Sequence, residues 1–164
     1  MTLVDVDALV REDMRALHDT RVVAHVSSLL VTPPRQVLLM WPYGAFGEEV
    51  FEGFLVLDHP RSGTGIAYCR QGFGPEFPWG IIATDREPLW TGMSDGWYTR
   101  FLNAYFESMV SIDLDIWRVK EQKPEQTANW VSEELPWDEA WKRVYALRES
   151  ATDRRYDCDH AVTY

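Results

Sequence analysis

The stretch that most constrains this chain is Gln71-Gly72-Phe73-Gly74-Pro75-Glu76-Phe77-Pro78-Trp79-Gly80. Its ten residues hold three glycines, two prolines and three large aromatics. Proline removes a backbone donor and glycine opens unusual dihedrals, so a regular element cannot run through it. On either side lie Ile66-Ala67-Tyr68-Cys69 and Ile81-Ile82-Ala83, apolar on both faces, which read as buried strands. The chain therefore presents a tight aromatic loop from a sheet.

In chain order, Val4–His18 reads as a helix from Val6, Leu9, Val10, Met14 and Leu17 at helical spacing, with Asp5 and Asp7 near its N-terminus. Arg21–Val31 is β-branched and lacks glycine and proline, so it reads as a strand. Pro33-Pro34 marks a turn and Gln36–Trp41 a second, central strand. Pro42–Glu49 reads as a loop and Val50–Asp58 as a third strand, with a bulge or a close neighbour at Gly53. A turn at 59–65, a strand at Ile66–Arg70 and a short strand at Gly80–Thr84 follow. Ser94 and Asp95 are N-cap candidates for a helix over Gly96–Val110. Asp113–Lys120 reads as a sixth strand and Glu121–Asn129 as a loop. The segment Trp137–Glu149 reads as a helix burying Trp137, Trp141, Val144 and Tyr145. Ser150–Tyr164 is an ordered wrap or a loose tail. The sum is an α+β fold: a mainly antiparallel sheet of about six strands with three helices packed against it. At 164 residues, with no repeat or composition shift, a single domain over 1–164 is expected.

Charge excludes some functions. Sixteen basic against 26 acidic residues leave a net charge of −10, which argues against nucleic acid and anionic membranes as partners and suits a basic protein. Two cysteines are too few for a disulfide scaffold. No signal-peptide pattern or membrane-length apolar run is evident, so a reducing cytoplasm is the expected location.

The chemical constellations are thin. Cys69 with His59 is a candidate nucleophile and base, but a hairpin around Ser62-Gly63 sets Cys69 opposite about Val56, several residues from His59. Asp157-Cys158-Asp159-His160 packs four potential ligands into four residues, and on a strand Cys158 and His160 would share a face, yet the stretch lacks the second ligand pair of a closed zinc site. Arg61-Ser62-Gly63-Thr64-Gly65 lacks both phosphate-loop patterns and is explained by turn chemistry. Of the paired carboxylates, only Glu76 sits in an aromatic setting. No catalytic set, metal site or cofactor is assigned.

What remains is a set of aromatics in loops: Tyr43, Phe46, Phe73, Phe77 and Trp90. Beside Glu48, Glu49 and Glu76 they suit a protein-binding face. In general character this small, acidic, aromatic-rich chain is similar to bacterial immunity or antitoxin proteins that neutralise a partner. That resemblance rests on no motif and transfers no residues. The expected contact residues are Phe73, Glu76, Phe77 and Trp79, with Glu48 and Glu49 as outlying charges. Two alternatives stand beside it: a small hydrolase-like enzyme using Cys69 or Glu76 beside His59, and a small-ligand binder stacking its ligand on Trp79 and Trp90.

Overall fold

The structure is a computed structural model describing residues 3–71, 73–91, 96–123 and 129–164, with the side chains of residues 3 and 4 left aside. The Ser94 and Asp95 cap candidates lie outside these residues. Contacts divide the chain into two compact units, Met1–Ser111 and Ile112–Tyr164.

The first unit opens with α1 (Leu3–Arg15) and α2 (Thr20–Leu29). The second of these corrects the strand expected at Arg21–Val31. Asp19 caps it, its carboxylate accepting from the backbone N–H groups of Arg21 and Val22. Val22 and Val26, four residues apart, form its buried face. A cap plus a buried i,i+4 pair outweighs the weak β preference of valine.

Strands β1 (Leu30–Gly44), β2 (Gly47–His59), β3 (Thr64–Tyr68), β4 (Trp79–Ala83) and β5 (Leu89–Trp90) follow. Each pairs with its neighbour in the ring β1-β2-β3-β4-β5-β1, so the sheet closes into a barrel. All pairings are antiparallel except β5 on β1. Closure removes the sheet edges that an open layout would expose. Short β6 (Trp97–Tyr98) adds to β4. Pro33 and Pro34 do not form a turn; they lie in β1 within a register shift between Leu30 and Arg35. Val37, Leu39, Leu55, Ala67, Cys69, Ile82, Leu89 and Trp97 form the buried core, joined by Phe73.

The helix expected over Gly96–Val110 shrinks to α3 (Phe101–Glu107), because Trp97 and Tyr98 are taken by β6. Its start is capped from α1: Asp13 accepts from the Leu102 N–H at 3.1 Å and from Arg100 Nε at 2.8 Å.

A short 3₁₀ turn at Ser111–Asp113 spans the boundary between the two units. The second unit holds β7 (Trp117–Gln122), β8 (Asn129–Trp130), α4 (Trp137–Ser150) and β9 (Arg155–His160), an antiparallel sheet in the order β8-β7-β9. The sixth strand thus starts at Trp117 rather than Asp113. The segment 150–164 is no loose tail: β9 pairs with β7 from Trp117↔His160 to Gln122↔Arg155. Among the described residues four helices are present instead of three. On α4, Ala140 and Val144 are buried, but Tyr145 is exposed, contrary to its expected burial.

Candidate functional site

The aromatic loop resolves into three kinds of residue. It is closed at its base by Cys69 N–H donating to Pro78 C=O at 2.8 Å, and it turns where Phe77 N–H reaches Gly74 C=O at 3.2 Å. Gly74 sits at φ +92°, a left-handed conformation that favours glycine. Trp79 begins β4 and is buried, with its ring 4.9 Å from Tyr68 and 5.5 Å from Phe101. As a contact residue it is corrected: pairing opposite Tyr68 places it in packing, away from solvent. Phe73 is half-buried. Phe77 stays 44% exposed, beside the exposed Glu76.

Phe73 is one rung of a ladder. Trp97, in the core, lies 5.3 Å from Phe73; Phe73 lies 5.0 Å from Trp41; and Trp41 lies 5.4 Å from Tyr43. Two of these pairs are edge-on and the Phe73–Trp97 pair is tilted, and aromatic pairs at such distances each add about 0.5–1.5 kcal/mol beyond burial. The ladder leads from the barrel interior to the β1–β2 hairpin.

That hairpin is longer than the sequence suggests. Pro42–Glu49 does not form a loop, because the pairing continues through Trp41↔Glu49 to Gly44↔Gly47 and leaves only Ala45 and Phe46 at the tip. A side chain at Gly44 would meet the Gly47 carbonyl at 2.4 Å, and Gly47 has φ +116°, so the two glycines make the two-residue turn. Neighbouring strands leave this end uncovered: β5 pairs with β1 at Leu39 and Met40, and β3 pairs with β2 from Phe54 onward. Residues from Trp41 to Phe51 therefore extend as a two-stranded ribbon. The outer face of the hairpin carries Val50 at 56% exposure and, just inside the ribbon's base, Leu38 at 55%, with Tyr43 at 68% and Phe46 fully exposed at the tip. Glu48, Glu49 and Glu52 flank them, all exposed, and no lysine or arginine occurs from Gln36 to Gly53.

At the inner end of the same face is an open cleft of about 630 Å³, lined by Gln36, Glu52, Phe54, Tyr68, Arg70 and Gln71. It forms where β3 ends. Phe54 pairs with Tyr68, and the chain beyond Tyr68 turns into the loop, so Arg70 and Pro75 wall a step beside β2. Burial pushes the Tyr68 phenol above its ordinary pKa, so it is a neutral hydroxyl at physiological pH.

The other candidates are not drawn together. Tyr68 lies opposite Phe54, so Cys69 falls beside Gly53 rather than Val56, and its thiol points at Glu52 C=O, 3.6 Å away. His59 sits at the far end of β2, paired with Thr64, with Nδ1 2.7 Å from Ser62 Oγ. The 61–65 stretch is the β2–β3 turn, with Gly63 at φ +64° and its carbonyl accepting from Thr84 N–H. On β9, Asp157 accepts from Gln122 and Asp159 pairs with Lys120. Burial and these two carboxylates push the Cys158 thiol up to about 12, and no cluster of three metal-ligating side chains occurs among the described residues. Trp90 pairs with Ala83, four residues along β4 from Trp79, and Arg86 lies over its ring, so the two tryptophans share no platform. Among the described residues no helix is long and apolar enough to cross a membrane. No family model, curated protein or solved structure matches this chain.

Proposed function

We propose that the protein is an acidic binding module of the immunity or antitoxin kind, which neutralises a basic partner protein through the β1–β2 ribbon and the neighbouring loop. One observation carries this reading. An apolar ribbon ending in Tyr43 and Phe46 extends past the strands that would cover it, and Glu48, Glu49 and Glu52 are its only charged residues. Large exposed aromatics supply most of the energy in protein interfaces, and a one-sign rim speeds encounter with the opposite sign. Glu76 and Phe77 belong to the same surface set. Phe73 and Trp79 support it from within.

The test compares the wild type with a Tyr43→Ala/Phe46→Ala variant and a Glu48→Gln/Glu49→Gln variant as bait in extract of the native host. A stoichiometric complex is expected with the wild type and is lost with the aromatic variant. The glutamine variant slows association and flattens its salt dependence. Identical captures by wild type and aromatic variant would sink the proposal.

A further inference from the structure

We propose that the cleft between β2 and the residues Arg70, Gln71 and Pro75 binds a small zwitterion, a free amino acid or a short peptide with an apolar side chain. Gln36, Glu52, Arg70 and Gln71 line it together with Phe54 and Tyr68. Among the described residues Glu52 and Arg70 make no ion pair, with each other or elsewhere, although they line one cavity. The cavity of about 630 Å³ lies within the range of small-molecule sites, which pair an apolar lining with a few placed polar groups.

The charge pattern selects the ligand class. A simple cation would sit beside Arg70, and a simple anion beside Glu52 and against the field of a chain of net charge −10. A zwitterion places its carboxylate on the Arg70 guanidinium and its ammonium on Glu52, so both charges are matched. The Gln36 and Gln71 amides complete its hydrogen bonds, and an apolar side chain lies on Phe54 and Pro75. Among the described residues Arg70 is the one cation lining the cleft, which makes it the carboxylate receptor.

The inference does not rest on the protein partner. The probes are L-phenylalanine, L-leucine and the dipeptide Leu-Phe, with N-acetyl-phenylalanine and phenylalaninamide as forms lacking one charge. Titration is followed by amide chemical shifts and calorimetry on the full chain. At least one zwitterion is expected to bind with Kd below about 10 mM, moving the amides of Glu52, Phe54 and Arg70. Each singly charged derivative binds at least about tenfold more weakly, the ordinary worth of one charged hydrogen bond. Arg70→Ala and Glu52→Gln, both at exposed positions and checked by thermal melting, each weaken the zwitterion by a similar factor. The Tyr43→Ala/Phe46→Ala variant leaves it unchanged. Absence of shifts with all three zwitterions, equal binding of the derivatives, or indifference to both cleft substitutions would each overturn the assignment.

Discussion

Gly80 is a position where the barrel has no room for one added methyl group. It lies in β4 opposite Trp97, and a Cβ there would fall 2.5, 2.6 and 2.7 Å from Cζ2, Cε2 and Cη2 of the indole. Those atoms cannot swing away freely, since Trp97 is buried and its Nε1–H donates to Thr91 C=O at 3.1 Å. Overpacking of this kind costs about 1–3 kcal/mol, and straining the indole bond adds up to about 1. Replacing a glycine in a strand returns about 0.5–1 kcal/mol. The clash wins, and Gly80→Ala destabilises by about 2 kcal/mol. Urea unfolding followed by far-UV circular dichroism measures it. The cause is isolated by repeating the substitution in a Trp97→Phe background, because a phenyl ring lacks the outer part of the indole that blocks the site. There the cost of Gly80→Ala falls below about 0.5 kcal/mol, a coupling well above the additivity error for distant sites. A neutral Gly80→Ala, or an equal cost in both backgrounds, would refute the packing argument.

Two further outcomes follow from titration and thiol chemistry. The Arg21 side chain beside Asp19 holds its carboxyl below the usual value of 3.8 despite some desolvation, with backbone donors from Arg21 and Val22 helping. A depressed folded pKa contributes stability above the unfolded value that is lost as pH falls through the folded one. The stability advantage of wild type over Asp19→Ala, about 1 kcal/mol at neutral pH, should therefore fade below about pH 4, seen in urea midpoints; a gap that widens on acidification contradicts the capping role. Neither cysteine should react with a disulfide reagent at pH 8 until the chain is unfolded, because Cys69 is buried and the Cys158 thiol is pushed to about 12. Folded-state labelling of Cys69 at the rate of a free peptide thiol would revive the nucleophile reading.

The α+β class was legible because alternating apolar runs and short turns survive any arrangement of the strands. Its closure was not. A barrel depends on β5, two residues long, bridging β1 and β4, and two residues carry no periodicity. At α2 the helix signal is present in the sequence: Asp19 before Val22 and Val26 is a cap followed by an i,i+4 pair, and it competes with the strand preference of the same valines. The ribbon was missed for a related reason. Gly44 and Gly47 spaced around two residues spell a hairpin turn, but Pro42 and the surrounding aromatics suggested a loop. Of the expected contact residues, Glu48, Glu49, Glu76 and Phe77 are exposed, while Trp79 is spoken for by Tyr68 and Phe101. Sequence cannot tell a plug from an anchor when both are aromatic, since the choice depends on which strand lies opposite. Arg70 and Glu52 went unnoticed because 18 residues separate them and only the β2–β3 register brings them to one cleft.

The ladder from Trp97 to Tyr43 changes what the loop is for. A two-stranded ribbon is marginal in water by itself, because it has no layer to bury its faces against. Between Trp41 and Phe51 no third strand among the described residues supports it. Trp41 is nevertheless fixed: Phe73 meets it edge-on at 5.0 Å, and Phe73 is itself packed against the core. The turn at Gly74 and the Cys69–Pro78 hydrogen bond thus help to set the position of one ring. On this account Phe73 is a positioning residue, acting on the ribbon through Trp41, whereas Phe77 and Glu76 face outward from the same loop. The division explains why ten residues of such restricted composition sit between two buried strands. One side of the loop braces the surface that a partner would meet, and the other side is part of that surface.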